Sequence, residues 1–340
     1  MFLGYTDVVM KLSIGIVGLP NVGKSTLFKA LTRQEVHIAN YPFATIDPNV
    51  GIVPVPDERL QKLTELSKSK KTVPAVVEFY DIAGLVKGAS KGEGLGNQFL
   101  AHIRDTQAIV LVLHLFQDAE IIHVESTVDP VRDLEILNAE LTLRDLDVID
   151  KRLQKLEGEA RTGDKTAVKN FELLKRAQES LHSGNLATEF RDEDIIKELQ
   201  LLTAKRQVYL LNGHEKDIPP TLPETMARFG GDFLVMNLVG DVDLAPLIKK
   251  AYGVLGLMSF FTTGEDETRA WTTVQGAKAP EAAGEIHSDF EAKFIRAEVV
   301  SYSDLVANGG WQGAKQKGKV RIEGKEYVVQ DGDVMVIRHG

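Results

Sequence analysis

The sequence predicts an α/β protein with two additions to its main sheet unit, a helical insertion and a separate carboxyl-terminal unit. A glycine-rich segment at residues 18–25 lies between an apolar strand at 12–17 and the start of a helix at 26–31. Further apolar segments of strand length follow it. Residues 131–181 then show leucines at helical spacing, and the chain beyond Gly256 alternates short strands with turns.

The composition is that of an acidic globular protein with more than one domain. The chain has 340 residues, a net charge of −9 and 43% hydrophobic residues, which suits two or three cores. The charge argues against general electrostatic binding to nucleic acid, and we expect no sequence-specific DNA partner. The chain has no Cys, which excludes disulfides and thiolate metal sites. No apolar run approaches the ~18 residues that span a membrane, and residues 1–10 lack the basic start of a signal peptide, so we expect a cytoplasmic protein with no membrane partner.

Residues 18–25 read Gly-Leu-Pro-Asn-Val-Gly-Lys-Ser and fit the phosphate-loop pattern. The two glycines let the backbone turn until several N–H groups point at one spot, and the next helix adds the positive end of its dipole. Lys24 is expected to reach the β- and γ-phosphates, and the Ser25 hydroxyl to bind Mg²⁺. The alternative is a glycine-rich turn that matches by chance, and the flanking strand and helix argue against it. The loop residues predicted to hold the nucleotide are Asn21, Val22, Gly23, Lys24, Ser25 and Thr26.

Two later segments have the features of loops that respond to a γ-phosphate. Residues 40–49 contain two prolines and two asparagines, which disfavour a helix, and they offer Thr45 as a further Mg²⁺ ligand. An ordinary turn is the alternative there. An apolar strand at 73–80 ends at Asp81, whose carboxylate suits a role in holding Mg²⁺, and the Gly84 N–H can face the γ-phosphate. Residues 87–96 hold four glycines, as a switch loop requires, although alone they would suggest a linker.

The residue that would orient the attacking water is replaced. Ras-like enzymes carry Gln directly after Asp-x-x-Gly, but this chain carries Leu85, which cannot hold a water. His123 lies downstream between two apolar residues and is the candidate for that role. The alternative for His123 is a structural one, because a histidine between apolar residues more often packs than reacts.

The base-recognition segment also departs from that of a GTPase. After a strand at 208–211 the chain reads Asn212-Gly213-His214-Glu215, where GTPases usually carry Asn-Lys-x-Asp. The extra methylene of Glu215 moves the carboxylate, and Gly213 lacks the stem that would cover the ring. Asn212 can still pair with the N6/N7 edge of adenine. The sequence therefore favours ATP over GTP.

Three units follow from the remaining patterns. Two helices, at 131–157 and 165–181, suggest an antiparallel hairpin, with Gly158 and residues 161–164 as the break. The hairpin is either simple helix packing or an arm that meets a partner. Strands are predicted at 295–300, 318–323, 327–329 and 334–338 in a small α+β unit. The predicted boundaries are 1–130 with 205–255 for the nucleotide-binding unit, 131–204 for the helical insertion and 256–340 for the carboxyl-terminal unit.

These motifs resemble the YchF subfamily of Obg-related phosphate-loop NTPases, the Obg-like ATPases, over nearly the whole chain. The resemblance is carried by residues 18–25, 40–49, 81–96 and 212–215, and in the carboxyl-terminal unit by 269–272, 282–290 and 294–298. It implies a Ras-like G domain of the OBG type, an inserted helical hairpin and a TGS domain with a β-grasp fold. Residues 1–9 and 236–239 depart from the family pattern.

The resemblance also implies site roles and a partner. It implies ATP as substrate, Phe116 packed on the adenine, Asn212 bonded to the edge of the base and the Gly213 backbone against it. It implies that Leu85 replaces the catalytic Gln and that His123 matches the family's proposed catalytic histidine. Asn21 matches relatives that use K⁺ near the phosphates. The ribosome is the implied partner.

The sequence thus predicts a slow, Mg²⁺-dependent ATPase that acts as a conformational switch and modulates translation or the stress response. The alternatives are an Obg-type GTPase and a nucleotide-gated ribosome- or RNA-binding module in which hydrolysis only resets the state. A metabolic kinase is less favoured, since no acceptor-pocket motif is present. The predicted catalytic residues are His123, Lys24 and Gly84, the predicted metal ligands are Ser25, Thr45 and Asp81, and the predicted base contacts are Phe116, Asn212, Gly213 and Glu215.

Overall fold

The computed structural model describes residues 13–33, 49–81, 103–115 and 128–340, and within these residues two six-stranded sheets organise the chain. The strands are β1 (Ser13–Val17), β2 (Val50–Pro54), β3 (Lys71–Val73), β4 (Val76–Asp81), β5 (Ala108–His114), β6 (Arg206–Asn212), β7 (Asp232–Met236), β8 (Leu257–Thr263), β9 (Glu267–Val274), β10 (Phe294–Ser301), β11 (Arg321–Glu323) and β12 (Asp333–His339). The helices are α1 (Lys24–Thr32), α2 (Glu58–Ser67), α3 (Pro130–Arg161), α4 (Lys165–His182), α5 (Asp194–Leu199), α6 (Leu222–Arg228), α7 (Ala245–Val254), α8 (Ala279–Ile286), α9 (Ser288–Ala292), α10 (Tyr302–Ala307) and α11 (Trp311–Gln316).

The first sheet has the order β2-β4-β1-β5-β6-β7. Only β2 runs antiparallel to its neighbour, and the other five strands are parallel. The sequence dictates this arrangement, because β5 is apolar up to its last residue and every one of its residues is buried, as a strand covered on both faces must be. The carboxyl ends of β1, β4, β5 and β6 therefore meet at one edge, where an open α/β sheet places its ligands.

The helical hairpin predicted from the leucine spacing is confirmed. Helix α3 begins after Asp129, whose carboxylate accepts hydrogen bonds from two backbone N–H groups of its first turn. The leucines at 134, 137 and 141 join the core of the first sheet, and Ile149 and Leu153 join a separate core with α4. The prediction that Gly158 breaks the helix is wrong: α3 continues to Arg161. A glycine costs a helix only about 1 kcal/mol, which the packing of a long amphipathic helix offsets.

The sequence predicted one strand at 73–80, but the structure has two strands, β3 and β4, in this region. Pro74 has no N–H to donate, and it separates β3 from β4. The short strand β3 leaves the first sheet and pairs in parallel with β9, with Lys71 opposite Glu267. A segment of the nucleotide-binding unit thus supplies the sixth strand of the second sheet, whose order is β11-β10-β12-β8-β9-β3.

The carboxyl-terminal unit has strands β8 and β9 and helices α8 to α11, which the sequence patterns did not delimit. The predicted strand at 318–323 is confirmed only from Arg321 onward. The prediction of a strand at 327–329 is wrong, since Val328 forms a single bridge to Lys278. The unit packs a mixed sheet against helices, as expected of a TGS-like domain. The domain boundaries themselves stay predictions.

One arginine joins the two sheet units. The Arg59 guanidinium, at the start of α2, donates at 2.6 Å to Asp331 of the carboxyl-terminal unit and at 2.7 Å to Asp57. It also lies 5.1 Å from the ring centroid of Phe261. Asp331 in turn accepts the backbone N–H of Ser259 at 3.1 Å. Because charge-assisted bonds are short and directional, this contact fixes how the two units meet.

Among the helices of the described residues, none combines the length and apolar character needed to cross a membrane.

Candidate nucleotide-binding site

The predicted phosphate loop lies between β1 and α1, in the strand–loop–helix context that the motif requires. Asn21 has φ +63° and Gly23 has φ +106°, so the loop turns through two left-handed positions. Gly23 is the N-cap of α1 and has no side chain to cap it. The unpaired N–H groups at the start of α1, which carry its positive dipole end, are thus available to an anion.

Close approach of neighbouring atoms requires both glycines of the motif, and the positive φ of Gly23 adds a second requirement at that position. A Cβ at Gly18 would lie 2.7 Å from the carbonyl oxygen of Val112 on the neighbouring strand β5. A Cβ at Gly23 would lie 2.7 Å from Nδ2 of Asn212. Neither neighbour is the free end of a flexible side chain, so the loop is held close to β5 and β6 only because both positions lack a side chain.

Lys24 is buried in the loop and folds back onto it. Its Nζ donates to the carbonyl oxygen of Leu19 at 2.7 Å, and the residue is only 7% exposed. Burial lowers the pKa of Lys24 to about 8, and the nearby Asp81 carboxylate opposes this shift. The ammonium group is therefore held, partly desolvated, beside the helix start where phosphates would bind.

Asp81 and Ser25 offer the oxygen atoms that Mg²⁺ prefers. Asp81 ends β4 opposite Ile16 of β1, and its N–H donates to the carbonyl of Asn49 at 2.9 Å. Burial raises the pKa of Asp81, and the charge of Lys24 opposes that rise. Ser25 is exposed on the first turn of α1, next to the exposed Thr26.

The donor set fits Mg²⁺ bound together with a nucleotide. No group of three or more His, Asp or Glu side chains within the described ranges could hold a metal ion by itself. Mg²⁺ usually keeps waters and binds through one or two carboxylates and the substrate phosphates, so one carboxylate and one hydroxyl beside a phosphate loop suit it.

Asn212 links the phosphate loop to the segment after β7. Its Nδ2 donates to the carbonyl of Val22 at 3.0 Å, and its Oδ1 accepts the N–H of Leu238 at 3.1 Å. The side chain is 5% exposed. One N–H and one lone pair of the amide remain for a base edge. The role of Asn212 toward adenine stays a prediction, and the structure adds a second role, which is to hold Val22 in place.

The rest of the base-recognition segment follows β6 directly. The Gly213 N–H donates to the carbonyl of Met236 at 3.0 Å, and Gly213 is buried. Glu215 begins a 3₁₀ turn at Glu215–Asp217 and is exposed. These residues therefore lie at the same edge as Asn212, and Glu215 is accessible to solvent there.

Four predicted site residues lie outside the described residues, and their roles stay predictions. They are Thr45, Gly84, Phe116 and His123, together with the glutamine replacement Leu85.

Two contacts were not predicted from the sequence. Leu238 is buried at 3% exposure and its backbone positions Asn212, although the sequence suggested only that residues 236–239 depart from the family pattern. The available signal was an apolar residue two positions after β7. The carbonyl of Leu19, which accepts from Lys24, gave no signal, since a backbone group carries no residue-specific pattern.

Two family models match the chain. Residues 13–149 match a model described as a 50S ribosome-binding GTPase, and residues 257–340 match YchF-GTPase_C, described as a protein of unknown function (DUF933).

Curated relatives are similar over almost their whole length. The Ribosome-binding ATPase YchF of Bacillus subtilis is 50% identical over 97% of this chain and 99% of its own. The proteins of the same name from Mycoplasma genitalium and Escherichia coli O157:H7 are 45% and 43% identical, over 95% and 96% of this chain and 98% of each of their own.

A solved structure of the Schizosaccharomyces pombe YchF GTPase is similar with a TM-score of 0.84 and 38% identity, over 96% of this chain and 98% of its own. This likeness, together with the two sheets described above, confirms the predicted α/β fold class.

Proposed function

The chain belongs to the YchF family, and from that premise we propose that it is an Mg²⁺-dependent ATPase that associates with the ribosome and acts as a conformational switch. The observation that carries the proposal is the buried Lys24 ammonium at the uncapped start of α1, beside Asp81. It supplies positive charge and free N–H groups at one point, which is what a polyphosphate needs.

Each predicted residue has a place in this proposal. The loop residues Asn21, Val22, Gly23 and Thr26 present backbone N–H groups to the phosphates, and Lys24 contacts the β- and γ-phosphates. Ser25, Thr45 and Asp81 would hold Mg²⁺, which would supply neutralisation of the phosphate charge. Gly84 donates its N–H to the γ-phosphate, and His123 orients the attacking water in place of a glutamine. Asn21 also provides the contact through which K⁺ would assist.

The base preference rests on three residues after β6. Asn212 bonds the adenine edge with the N–H that its link to Val22 leaves over, and the buried backbone of Gly213 lies against the base. Phe116 would pack on the adenine, as the family resemblance implies. Glu215 lies on an exposed turn, and no lysine stem covers the ring, so a guanine gains less here than adenine does.

The nucleotide state reaches the carboxyl-terminal TGS domain through β2 and α2. The predicted switch segment at 40–49 leads directly into β2, whose first residue lies next to the Asn49–Asp81 hydrogen bond. From β2 the chain runs to Asp57 and Arg59, and Arg59 holds Asp331 of the TGS domain. ATP binding orders the switch loops and thereby biases the position of this domain.

Competition between nucleotides tests the substrate. Unlabelled ATP and GTP are titrated against a fluorescent ATP analogue bound to the full chain with Mg²⁺, and we expect ATP to compete roughly tenfold more strongly. Equal or stronger competition by GTP would contradict the base assignment and favour the Obg-type GTPase. The Schizosaccharomyces pombe relative and the matched 50S ribosome-binding model are both named as GTPases, so this outcome has to be tested directly.

A second candidate function is a nucleotide-gated ribosome-binding module in which hydrolysis only resets the state. The replacement of the catalytic glutamine by Leu85 favours this second function, because slow hydrolysis suits a protein that resets its bound state better than an enzyme that turns over many substrate molecules. Ribosome pelleting with ATP, ADP or no nucleotide discriminates the two. A difference between ATP and ADP supports gating, and identical pelleting contradicts it. In either case the protein works in the cytoplasm, on translation or the stress response.

A further inference from the structure

A cavity lies where β5 and β6 begin, at the end of the strands opposite the phosphate loop. We call this end of the first sheet the amino edge and the end at the phosphate loop the carboxyl edge. The cavity has a volume of about 300 Å³ and opens between the sheet and the end of the helical insertion near α5. Strand β6 runs from Arg206 at this cavity to Asn212 at the phosphate loop. Six strand steps cover roughly 20 Å, so the cavity is a separate place from the nucleotide site.

Basic side chains converge on this cavity. The cations of its lining are Arg104, Arg191, Lys197, Lys205 and Arg206. Two carboxylates, those of Asp105 and Asp192, also line it, and both residues are exposed. The lining is therefore net positive in a protein whose overall charge is −9, and the imbalance is local.

Two of the three N–H groups of the Lys205 ammonium donate hydrogen bonds to backbone carbonyls. Its Nζ donates to the carbonyl oxygens of Arg104, at 2.8 Å, and of Thr106. Three N–H groups are present on an ammonium, so one remains for a ligand. Burial lowers the pKa of Lys205 to about 8, with Asp145 and Asp105 opposing the shift.

Arg191 and Arg206 repel each other across the same lining. Burial and then the charge of Arg206 lower the pKa of Arg191, and Asp192 only partly offsets them. The Nε of Arg191 donates to the carbonyl of Thr188 at 3.0 Å, which fixes the guanidinium and leaves its terminal nitrogens to a ligand. Two like charges held together in this way are stabilised by an anion placed between them.

The Asp145 carboxylate attracts Lys205 electrostatically, but it is not a partner in any ion pair of the described residues. Asp145 accepts hydrogen bonds from the N–H of Leu202 at 2.8 Å and from the N–H and hydroxyl of Thr203 at 2.7 and 2.5 Å. Its two oxygens are thus engaged by the backbone and a hydroxyl. Asp145 therefore holds the backbone of Leu202 and Thr203 in place. Among the described residues, its carboxylate oxygens form no ion pair with the cavity cations.

Several basic residues of the carboxyl-terminal unit are paired with carboxylates. In the carboxyl-terminal unit Lys315, Lys319 and Arg321 each lie 2.8 to 3.1 Å from a carboxylate oxygen. Within the part of the chain that the structure describes, none of the five cavity cations forms such an ion pair; the pairs nearest to them along the chain are Arg152–Glu198 and Lys169–Glu193.

We propose that this cavity binds a phosphate group through the side chains of Arg191, Lys205 and Arg206. The guanidinium of Arg191, which Thr188 holds in place, the neighbouring Arg206 and the half-buried Lys205 ammonium match the tetrahedral oxygens of phosphate better than a single carboxylate. The volume is at the lower end of that of ligand pockets, so it admits one phosphate group with a few attached atoms. The phosphate comes either from a free anion or from an RNA backbone that presents one phosphate to the cavity.

Calorimetric titration of the full chain tests this site. Mg²⁺ and non-hydrolysable analogues of both ATP and GTP are present in excess, so the phosphate loop is filled whichever base it prefers. The probes are inorganic phosphate and a short uridine oligonucleotide. We expect saturable binding of at least one probe, and a loss of affinity of roughly a hundredfold in the double variant Arg191→Gln, Arg206→Gln, since two charge-assisted contacts are removed.

Two further variants keep the test decisive. The control Lys151→Gln, Lys155→Gln removes two exposed cations of the same insertion that do not line the cavity, and it should bind like the wild type. The single variant Arg206→Gln, at an exposed lining position, should weaken binding roughly tenfold even if the double variant fails to fold. Binding of phosphate alone identifies a free anion, and binding of the oligonucleotide alone identifies RNA. No binding of either probe, or equal loss in the control, would overturn the proposal.

Discussion

The two edges of the first sheet each hold a lysine, Lys24 being buried and Lys205 half-buried, and they use it differently. Lys24 at the carboxyl edge donates to the carbonyl of Leu19, and Lys205 at the amino edge donates to the carbonyls of Arg104 and Thr106. Burial lowers the pKa of both to about 8. The similarity ends there, because the other groups around each lysine are of different kinds.

At the carboxyl edge, backbone N–H groups provide most of the donors available to a phosphate. Glycines bring N–H groups and the start of α1 against the lysine, and one carboxylate, Asp81, is left for a metal. At the amino edge arginine side chains surround the lysine, and no glycine of the described residues lines the cavity. Backbone donors suit the close, fixed wrapping of a polyphosphate, and side-chain donors suit an exposed phosphate approached from solvent.

The largest expected effect is the difference in ATP affinity between variants of Lys24 and of Lys205. Lys24→Gln should weaken ATP binding roughly a thousandfold, because contacts to both the β- and γ-phosphates are lost, and hydrolysis should disappear. Lys205→Gln should leave the Kd for ATP within about twofold. Calorimetric titration with ATP and Mg²⁺ measures both. Equal losses in the two variants would mean that the edges are not independent.

The next effect tests the role of the glycine. Gly23→Ala should lower the free energy of unfolding by about 3 kcal/mol, because the new Cβ adds a clash with Asn212 to the strain of a positive φ. The matched control is Gly240→Ala, which has φ +91° but no atom within 4 Å of the new Cβ, and should cost about 1 kcal/mol. Urea unfolding gives both values. A similar cost at the two positions would show that Asn212 yields without penalty.

A smaller effect concerns the buried carboxylate at the amino edge. Burial raises the pKa of Asp145 to about 6, although three hydrogen bonds oppose the shift. Between pH 4 and 6 the folded chain therefore binds more protons than the unfolded chain, and this residue makes stability fall as the pH rises. The change in the free energy of unfolding across that window should be on the order of 2 kcal/mol.

The difference between wild type and Asp145→Asn isolates this contribution from all other titrating groups. The stability of the wild type relative to the variant should decline from pH 4 to pH 6 and stay constant above it. A relative stability that rises over this interval would show that the three hydrogen bonds to Asp145 outweigh its desolvation.

The smallest effect is a proton taken up with ATP. In the nucleotide-free protein Lys24 has a pKa of about 8, and bound phosphates would raise that pKa. ATP binding should therefore take up about half a proton at pH 8 and nearly one proton at pH 9. The measurement is calorimetry at each pH in buffers of different ionisation enthalpy. Lys205→Gln should show the same uptake as the wild type. An uptake that vanishes in Lys205→Gln would assign the proton to the amino edge.

The sequence predicted the carboxyl edge well and the amino edge poorly. Residues 18–25 carry a fixed pattern of glycine, lysine and serine, so their strand–loop–helix context could be predicted by local rules. The cavity cations come from positions 104, 191, 197, 205 and 206, which lie in three separate stretches of chain. No local pattern joins them, because only the packing of α5 against the start of β5 and β6 brings them together.

The same distinction applies to single residues. Asn212 was predicted to contact the base from its place at the end of β6, but its bond to Val22 depends on the phosphate loop and its bond to Leu238 on the segment after β7. The strand at 73–80 was predicted as one element because its apolar run is continuous, and the missing N–H of Pro74 and the free edge of β9 divided it.

The sequence by itself determined the α/β class, the phosphate loop, the helical hairpin and the absence of a GTPase-type base motif, because each depends on residue types at fixed local spacing. The tertiary structure decided where Lys24 and Lys205 lose their water, how Arg59 joins the two sheets and which arginines share a cavity. Burial and charge proximity depend on distances between segments far apart in the chain, and local spacing carries no information about those distances.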